Sequence, residues 1–333
     1  MPVVHDTPES ARLTDGTTHE VMRIGLTVAR FAAPGGPARL GDALVRVARH
    51  AEAVGFDTFW VWDHFFWDAS PVGPGVTDRE MLEAFTTLGF IAGATRTIKL
   101  GTMVASATYR HPGVLIKQVT TLDVLSGGRA IFGIGAGWFE VEHRALGIPF
   151  PTLQERFERL EETVQIALLM WGDVGDYAKA RPFRGKHYQL ERTLNVPQTL
   201  QRPHPPILIG GSGEQKTLRL VAQYGDACNL GSRFTLDQLA HKLKVLRGHC
   251  EQVGRPYGAI EKTLYWRVHV TRDGEAGTQS IAQALAYTTA LADLGFDTLV
   301  LVDDTFDIYD PAVLDLWAAE LLPAIHATPV AGR

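Results

Sequence analysis

The chain has 333 residues, a formal net charge of −5, 45% apolar residues and 21% charged residues. That length suits one large domain or two ordinary ones, and the acid excess excludes a protein built around a basic nucleic-acid-binding face. No uncharged apolar run reaches the roughly 18 residues of a membrane helix, and the two cysteines, Cys228 and Cys250, make neither a disulfide framework nor a zinc site.

Residues 1–21 carry no hydrophobic periodicity and read as a flexible arm. Its start, Met1-Pro2-Val3-Val4-His5-Asp6-Thr7, has neither the basic opening nor the apolar core of a signal peptide, so a cytoplasmic protein is expected. Residues 22–333 read as one domain. Short apolar runs there alternate with amphipathic stretches. Strands are expected at 23–29, 58–62, 98–104, 130–134, 207–209, 227–230, 264–270 and 298–302. Runs such as Thr298-Leu299-Val300-Leu301-Val302 are apolar without alternation, which suits parallel strands covered on both faces.

Helices are expected between the strands. Leu44, Val47 and Ala51 fall at helical spacing within 40–54, and Pro112 suits the first position of a helix. The clearest helix follows Thr152, where Leu153, Phe157, Leu160, Val164, Ala167 and Trp171 form one stripe. Thr152 and Glu155 match a capping box, and Gly172 suits the stop. Thr235 and Gln238 repeat the capping pattern before Leu239, and further helices are expected at 281–294 and 312–325. Strands and helices in eightfold alternation predict a (β/α)8 TIM barrel. A doubly wound sheet is the rival, because alternation alone does not decide closure. Residues 172–205 break the pattern with Pro182, Gly185, Pro197, Pro203 and Pro205 around an extended Lys186-His187-Tyr188-Gln189-Leu190. They read as an insertion loop with a hairpin after the fourth helix, the kind of segment that often serves as a lid or binding loop.

In a barrel, ligands sit at the C-terminal ends of the strands. Two of those ends are glycine-rich: Ala130-Ile131-Phe132-Gly133-Ile134-Gly135-Ala136-Gly137-Trp138 and Pro206-Ile207-Leu208-Ile209-Gly210-Gly211-Ser212-Gly213. Glycine there lets backbone approach a ligand closely. The second run leads into Glu214-Gln215-Lys216-Thr217, which would set its amides at a helix N-terminus, a place for phosphate. Neither run is a nucleotide fingerprint. Trp138 stands where a dinucleotide motif needs its third glycine, and Gln215 stands where a P-loop needs glycine before the lysine. Two readings of the second run remain: a backbone phosphate grip, or a turn serving tight packing. His64, beside Asp63, ends the second strand. It is either a proton donor or acceptor oriented by Asp63, or a histidine hydrogen-bonded into the barrel wall. Trp60, Trp62, Trp67 and Trp138 near strand ends either stack on a flat ring or pack. Arg110 and His111 read as polar residues at a helix start, and Cys228 as a small buried apolar residue. His5, His19, His187 and His204 lack ligand spacing, so no metal is expected, and the absence of G-x-S-x-G argues against an acyl-transfer hydrolase.

Several runs, taken in order, resemble the luciferase-like monooxygenase superfamily. They are Thr58-Phe59-Trp60-Val61-Trp62-Asp63-His64-Phe65, Leu100-Gly101-Thr102-Met103-Val104, Tyr109-Arg110-His111-Pro112, Leu125-Ser126-Gly127-Gly128-Arg129 and the two glycine-rich runs. The likeness covers about residues 23–325. Within the superfamily the chain is most similar to oxidoreductases that use coenzyme F420, a 5-deazaflavin. The resemblance implies a barrel with the insertion at 172–205, a small organic substrate and a homodimer; charge and hydropathy already speak against nucleic-acid and membrane partners. It implies a bulge with a non-proline cis peptide at Met103-Val104, running into Ala105, that backs the deazaflavin ring. Ala136 and Gly137 would lie near the cofactor, and Gly210, Gly211, Ser212 and Gly213 would hold its phosphate. Asp63 and His64 would meet the cofactor, with His64 handling the proton, and Phe65 and Trp138 would shape the substrate pocket. Sugar-phosphate dehydrogenases of this group carry a catalytic glutamate directly after the glycine run. Here Trp138 occupies that place and Glu140 follows two residues on. Two alternatives stand beside the F420 reading: FMN as cofactor, its reduced form activating oxygen for monooxygenation, or a flavin or deazaflavin carrier without turnover.

Overall fold

The apolar runs are the staves of a closed barrel. The structure is a computed structural model that describes residues 21–67, 80–172, 178–302 and 306–331. The expected arm therefore lies outside the described residues, apart from Val21. The eight strands are β1 (Arg23–Val28), β2 (Thr58–Val61), β3 (Lys99–Thr102), β4 (Ala130–Gly135), β5 (Ile207–Gly210), β6 (Ala227–Gly231), β7 (Glu261–Trp266) and β8 (Thr298–Val302). Each pairs in parallel with the next in chain order. β8 then pairs with β1, Thr298 facing Arg23, which closes the ring and excludes the doubly wound sheet.

β7 starts at Glu261, where 264–270 was expected. The charged pair Glu261-Lys262 hides the strand's opening from a hydrophobicity reading. In the fold both charges are neutralised at the base of the barrel: Arg23 lies 2.5 Å from Glu261, and Lys262 lies 3.0 Å from Asp297. Val270 belongs to a separate short strand, Val270–Thr271, paired with Gln279–Ser280.

The helices are α1 (Pro37–Val54), α2 (Ala84–Ala94), α3 (Pro112–Ser126), α4 (Glu140–Ala145), α5 (Leu153–Trp171), α6 (Thr217–Tyr224), α7 (Leu236–Val253), α8 (Ile281–Asp293), α9 (Pro311–Leu316) and α10 (Leu322–Ala327). A π-helical turn at Trp317–Leu321 joins the last two. α4 is extra to the barrel pattern and was not expected. Pro112 does open α3, and Thr235 and Gln238 close a reciprocal capping box on α7. The α5 cap is one-sided. Thr152 accepts from the Glu155 amide, while the Glu155 carboxylate turns to Arg159 at 2.7 Å. Among the described residues no helix is long and apolar enough to cross a membrane.

Side chains on the outer faces of the strands pack under the helices in one large core. A second cluster, Trp60, Met103, Ile131, Leu208, Ala227 and Val300, fills the barrel itself. Trp60 fits there because β3 carries glycine opposite it: a Cβ on Gly101 would lie 2.5 Å from the indole ring. The insertion contains the expected hairpin, Phe183–Arg184 against Gln189–Leu190. Its turn is hooked to α5 by Glu162. That carboxylate accepts the backbone N–H groups of Lys186 at 2.6 Å, His187 at 3.1 Å and Tyr188 at 2.9 Å. Glu162→Ala should leave three amides unsatisfied and cost about 1–3 kcal/mol. Faster hydrogen exchange confined to Lys186, His187 and Tyr188 is the expected readout; unchanged protection there would show that the hook is not what holds the hairpin.

Candidate active site

β3 stops at Thr102, and the chain turns across the barrel mouth before resuming as Ala105–Ser106 beside Ile134 and Gly135 of β4. The Met103–Val104 peptide in this bulge is cis, as the resemblance implied. The Val104 side chain leans over two neighbouring strands. A Cβ on Gly210 would lie 2.9 Å from both Val104 methyl carbons, one on Gly135 3.0 Å from Cγ2, and one on Gly133 3.4 Å from Cγ1. The same Cβ on Gly133 would lie 1.9 Å from the Thr102 carbonyl oxygen. Glycines of both runs thus make room for the bulge, so the packing reading holds for them whatever else they do. Gly137 has its own reason. Its φ is +78°, and a Cβ would lie 2.4 Å from the Ser106 hydroxyl.

A cavity of about 450 Å³ opens at these strand ends. Met103, Val104, Gly135, Ala136, Gly137 and Trp138 form one side of it, and Gly210, Gly211, Asn229 and Tyr265 another. Leu153, Arg156 and Phe157 of α5 and Thr217 of α6 complete it. Seven expected site residues therefore line it: Met103, Val104, Ala136, Gly137, Trp138, Gly210 and Gly211. Ala105 is fully buried behind the bulge. Ser212 and Gly213 are not among these lining residues; Lys242 Nζ donates to the Ser212 carbonyl at 3.0 Å, and the Gly213 carbonyl accepts the Leu218 N–H. α6 begins only at Thr217, after a turn, so the helix start expected at Glu214 lies farther along the chain.

The α5 side of the cavity carries the unexpected cation. Arg156 donates through Nη1 to the Gly137 carbonyl and lies 4.3 Å over the Phe150 ring. Its Nε is buried with no hydrogen-bond partner. Burial depresses its pKa below the usual arginine value.

His64 lies beside this cavity, its ring centroid 6.1 Å from that of Trp138 and 5.4 Å from that of Phe139. Asp63 does not orient it. That carboxylate is bidentate with Arg110, at 2.7 and 2.8 Å, and accepts the Ser106 N–H at 3.2 Å. Arg110 also reaches Glu83 at 2.5 Å, so it is a buried ionic tie between loops and not an ordinary helix-start residue. His111 does cap α3, accepting the Gly113 N–H. Phe65 packs 5.0 Å from the Tyr109 ring and is not among the residues that line this cavity.

The partner of His64 is Glu142, which sequence reasoning missed. His64 Nδ1 lies 2.8 Å from Glu142 Oε2. The same carboxylate accepts the N–H groups of Phe65 and Phe66 and the Tyr109 hydroxyl. It is fully buried. Burial alone would raise its pKa, but hydrogen bonds from His64 and Tyr109 hold it below the usual carboxylate range. Burial, and then the Glu142 contact, push the Tyr109 phenol up. Glu140, the acid nearest the glutamate position of the sugar-phosphate dehydrogenases, points to solvent and pairs with Arg144 at 2.6 Å. Behind Gly137 runs a second chain of contacts, Ser106 to Thr108 at 2.7 Å and Thr108 to His143 Nε2 at 2.7 Å. Cys228 is buried as expected, and burial pushes its thiol up to about 12. Asp303 and Asp304, which follow β8 in the chain, lie outside the described residues.

The profile of luciferase-like monooxygenases matches residues 22–285. An F420-dependent glucose-6-phosphate dehydrogenase of Kineococcus radiotolerans is 30% identical over 292 residues, covering 86% of this chain and 76% of that one. Among solved structures, an F420-dependent secondary alcohol dehydrogenase in complex with an F420–acetone adduct superimposes with a TM-score of 0.75 at 17% identity, over 92% of this chain and 99% of that one. The monooxygenase RslO1 from Streptomyces bottropensis superimposes with a TM-score of 0.74 at 19% identity, over 91% of this chain and 99% of that one. At such identities the two structures speak for the fold.

Proposed function

Because the chain belongs to the luciferase-like monooxygenase family, we propose that it is an oxidoreductase that exchanges a hydride between coenzyme F420 and a small organic substrate. The observation that carries this reading is the mixed lining of the cavity. The apolar side chains of Met103, Val104 and Ala136 suit a flat ring. The Gly210-Gly211 backbone, the Thr217 hydroxyl and the Arg156 guanidinium in the same lining suit an anion. These residues fit a phosphorylated deazaflavin. The name of the Kineococcus relative supports F420 over FMN.

When bound, the deazaflavin supplies the carbon that accepts or gives the hydride. The chain's residues do the rest. Val104 and its neighbours support one face of the ring and exclude water from it. Arg156 and the Gly210-Gly211 backbone hold the phosphate. His64, beside the cavity and flanked by Trp138, takes or gives the proton that accompanies the hydride. Trp138 shapes the substrate side. The family resemblance extends the reading to a cytoplasmic homodimer.

The test is a binding titration against F420 and FMN, followed by absorbance. F420 should bind the more tightly, and Arg156→Gln should weaken it by about tenfold, the worth of one hydrogen bond to a charged group. Tighter binding of FMN, with oxygen consumed in the presence of its reduced form, would overturn the proposal in favour of a monooxygenase. Tight F420 binding without redox exchange across a panel of alcohols and sugar phosphates would leave a carrier.

A further inference from the structure

Three donors and one imidazole nitrogen converge on Glu142. The N–H groups of Phe65 and Phe66 both take Oε1, and the Tyr109 hydroxyl and His64 Nδ1 both take Oε2. Two of these are backbone amides, which can only donate. A carboxyl so surrounded, and held below its ordinary pKa by His64 and Tyr109 against the opposing effect of burial, is ionised. An ionised carboxylate accepts only, so the nitrogen facing it must carry a proton. A neutral imidazole has just one N–H.

We infer that Glu142 is a positioning residue that locks neutral His64 in the Nδ1–H tautomer and so presents Nε2 as an acceptor. The inference rests on the reading of His64 as the proton-handling residue and deepens it. It states which ring atom meets the ligand and in which state that atom arrives. Glu142 lies four residues beyond Trp138, inside α4, and its carboxylate stands 2.8 Å from His64 Nδ1.

The replacement Glu142→Gln tests this atom by atom. The Gln oxygen must stay with the two backbone N–H groups. Its NH₂ then turns to the two remaining partners, the Tyr109 oxygen and His64 Nδ1. That pairing forces the proton onto Nε2. Nitrogen-15 NMR of the histidine-labelled, cofactor-free protein, at a pH where the ring is neutral, reads the tautomer directly; the His64 signal is assigned by its loss in His64→Ala. Native protein and Tyr109→Phe should show Nδ1–H, and Glu142→Gln should show Nε2–H. With F420 bound, Glu142→Gln should lower kcat by about 10²- to 10⁴-fold, with cofactor affinity unmoved. An Nε2–H ring in the native protein, or a Glu142→Gln ring still protonated at Nδ1, would overturn the inference. The native spectrum decides alone if the variant does not fold. Because it needs neither cofactor nor turnover, its outcome is separate from that of the F420 reading. Full activity in His64→Ala would remove the catalytic role and leave the tautomer standing.

Discussion

Replacing His64 by alanine is expected to cut kcat by about 10²- to 10⁴-fold, the range of a lost general acid or base, and to leave F420 affinity near that of the native enzyme. The split follows from position. His64 sits against Trp138 beside the cavity and is not among the residues that line its walls, so it contributes little to holding the cofactor. The fold should survive the change. Glu142 keeps three of its four donors, the N–H groups of Phe65 and Phe66 and the Tyr109 hydroxyl, so no buried charge is stranded. The space left among Trp62, Trp67 and Phe139 is the main structural penalty. His64→Gln, which fills more of that space, should be as inactive as alanine and more stable. Steady-state turnover measured beside an F420 titration checks this. Loss of cofactor affinity with turnover per bound cofactor intact would instead make His64 a binding residue.

Gly133→Ala is expected to be the most damaging single methyl in the barrel. The added carbon would lie 1.9 Å from the Thr102 carbonyl oxygen, which is backbone and has no side chain to swing aside. Either β3 or β4 must move, at the point where they carry the bulge. Overpacking of this kind costs about 3 kcal/mol, which corresponds to a fall in Tm of roughly 4–5 °C for a domain of this size. Gly248→Ala is the matched control. Gly248 lies within α7, and a Cβ there meets nothing within 4 Å. The same chemical change should stabilise it by up to about 1 kcal/mol. Calorimetry of the pair checks the sign of each. A Gly133→Ala protein with native Tm would mean that the bulge has slack its contacts do not suggest.

The barrel was legible because its strands are buried on both faces and so read as unbroken apolar runs. β8 shows this most plainly, with all five of its residues buried. β7 was misplaced where charges replace that signal, at Glu261 and Lys262. The cofactor side of the site was legible through glycine, since a missing side chain in a strand end marks a close approach whichever partner makes it. Here the partner proved to be Val104 as well as a ligand cavity. Glu142 was not legible. It lies in Glu140-Val141-Glu142-His143-Arg144, which looks like a solvated turn, and α4 is too short to show a periodic face. Its partners, His64 and Tyr109, come from the ends of other strands and meet it only when the ring closes. Asp63 was misjudged for the converse reason: adjacency to His64 in the chain suggested a pair, but consecutive residues point apart and Arg110 was waiting on the other side.

The lean of Val104 over Gly133, Gly135 and Gly210 has an evolutionary consequence. Four positions, one in the bulge and three on β4 and β5, share one small volume, so none of them can drift alone. A methyl gained at Gly210 has to be matched by one lost at position 104, and the residue that backs the cavity would shrink in the same step. The floor of the cavity can therefore change only in concert, whereas the exposed Trp138 at its rim stands outside that constraint.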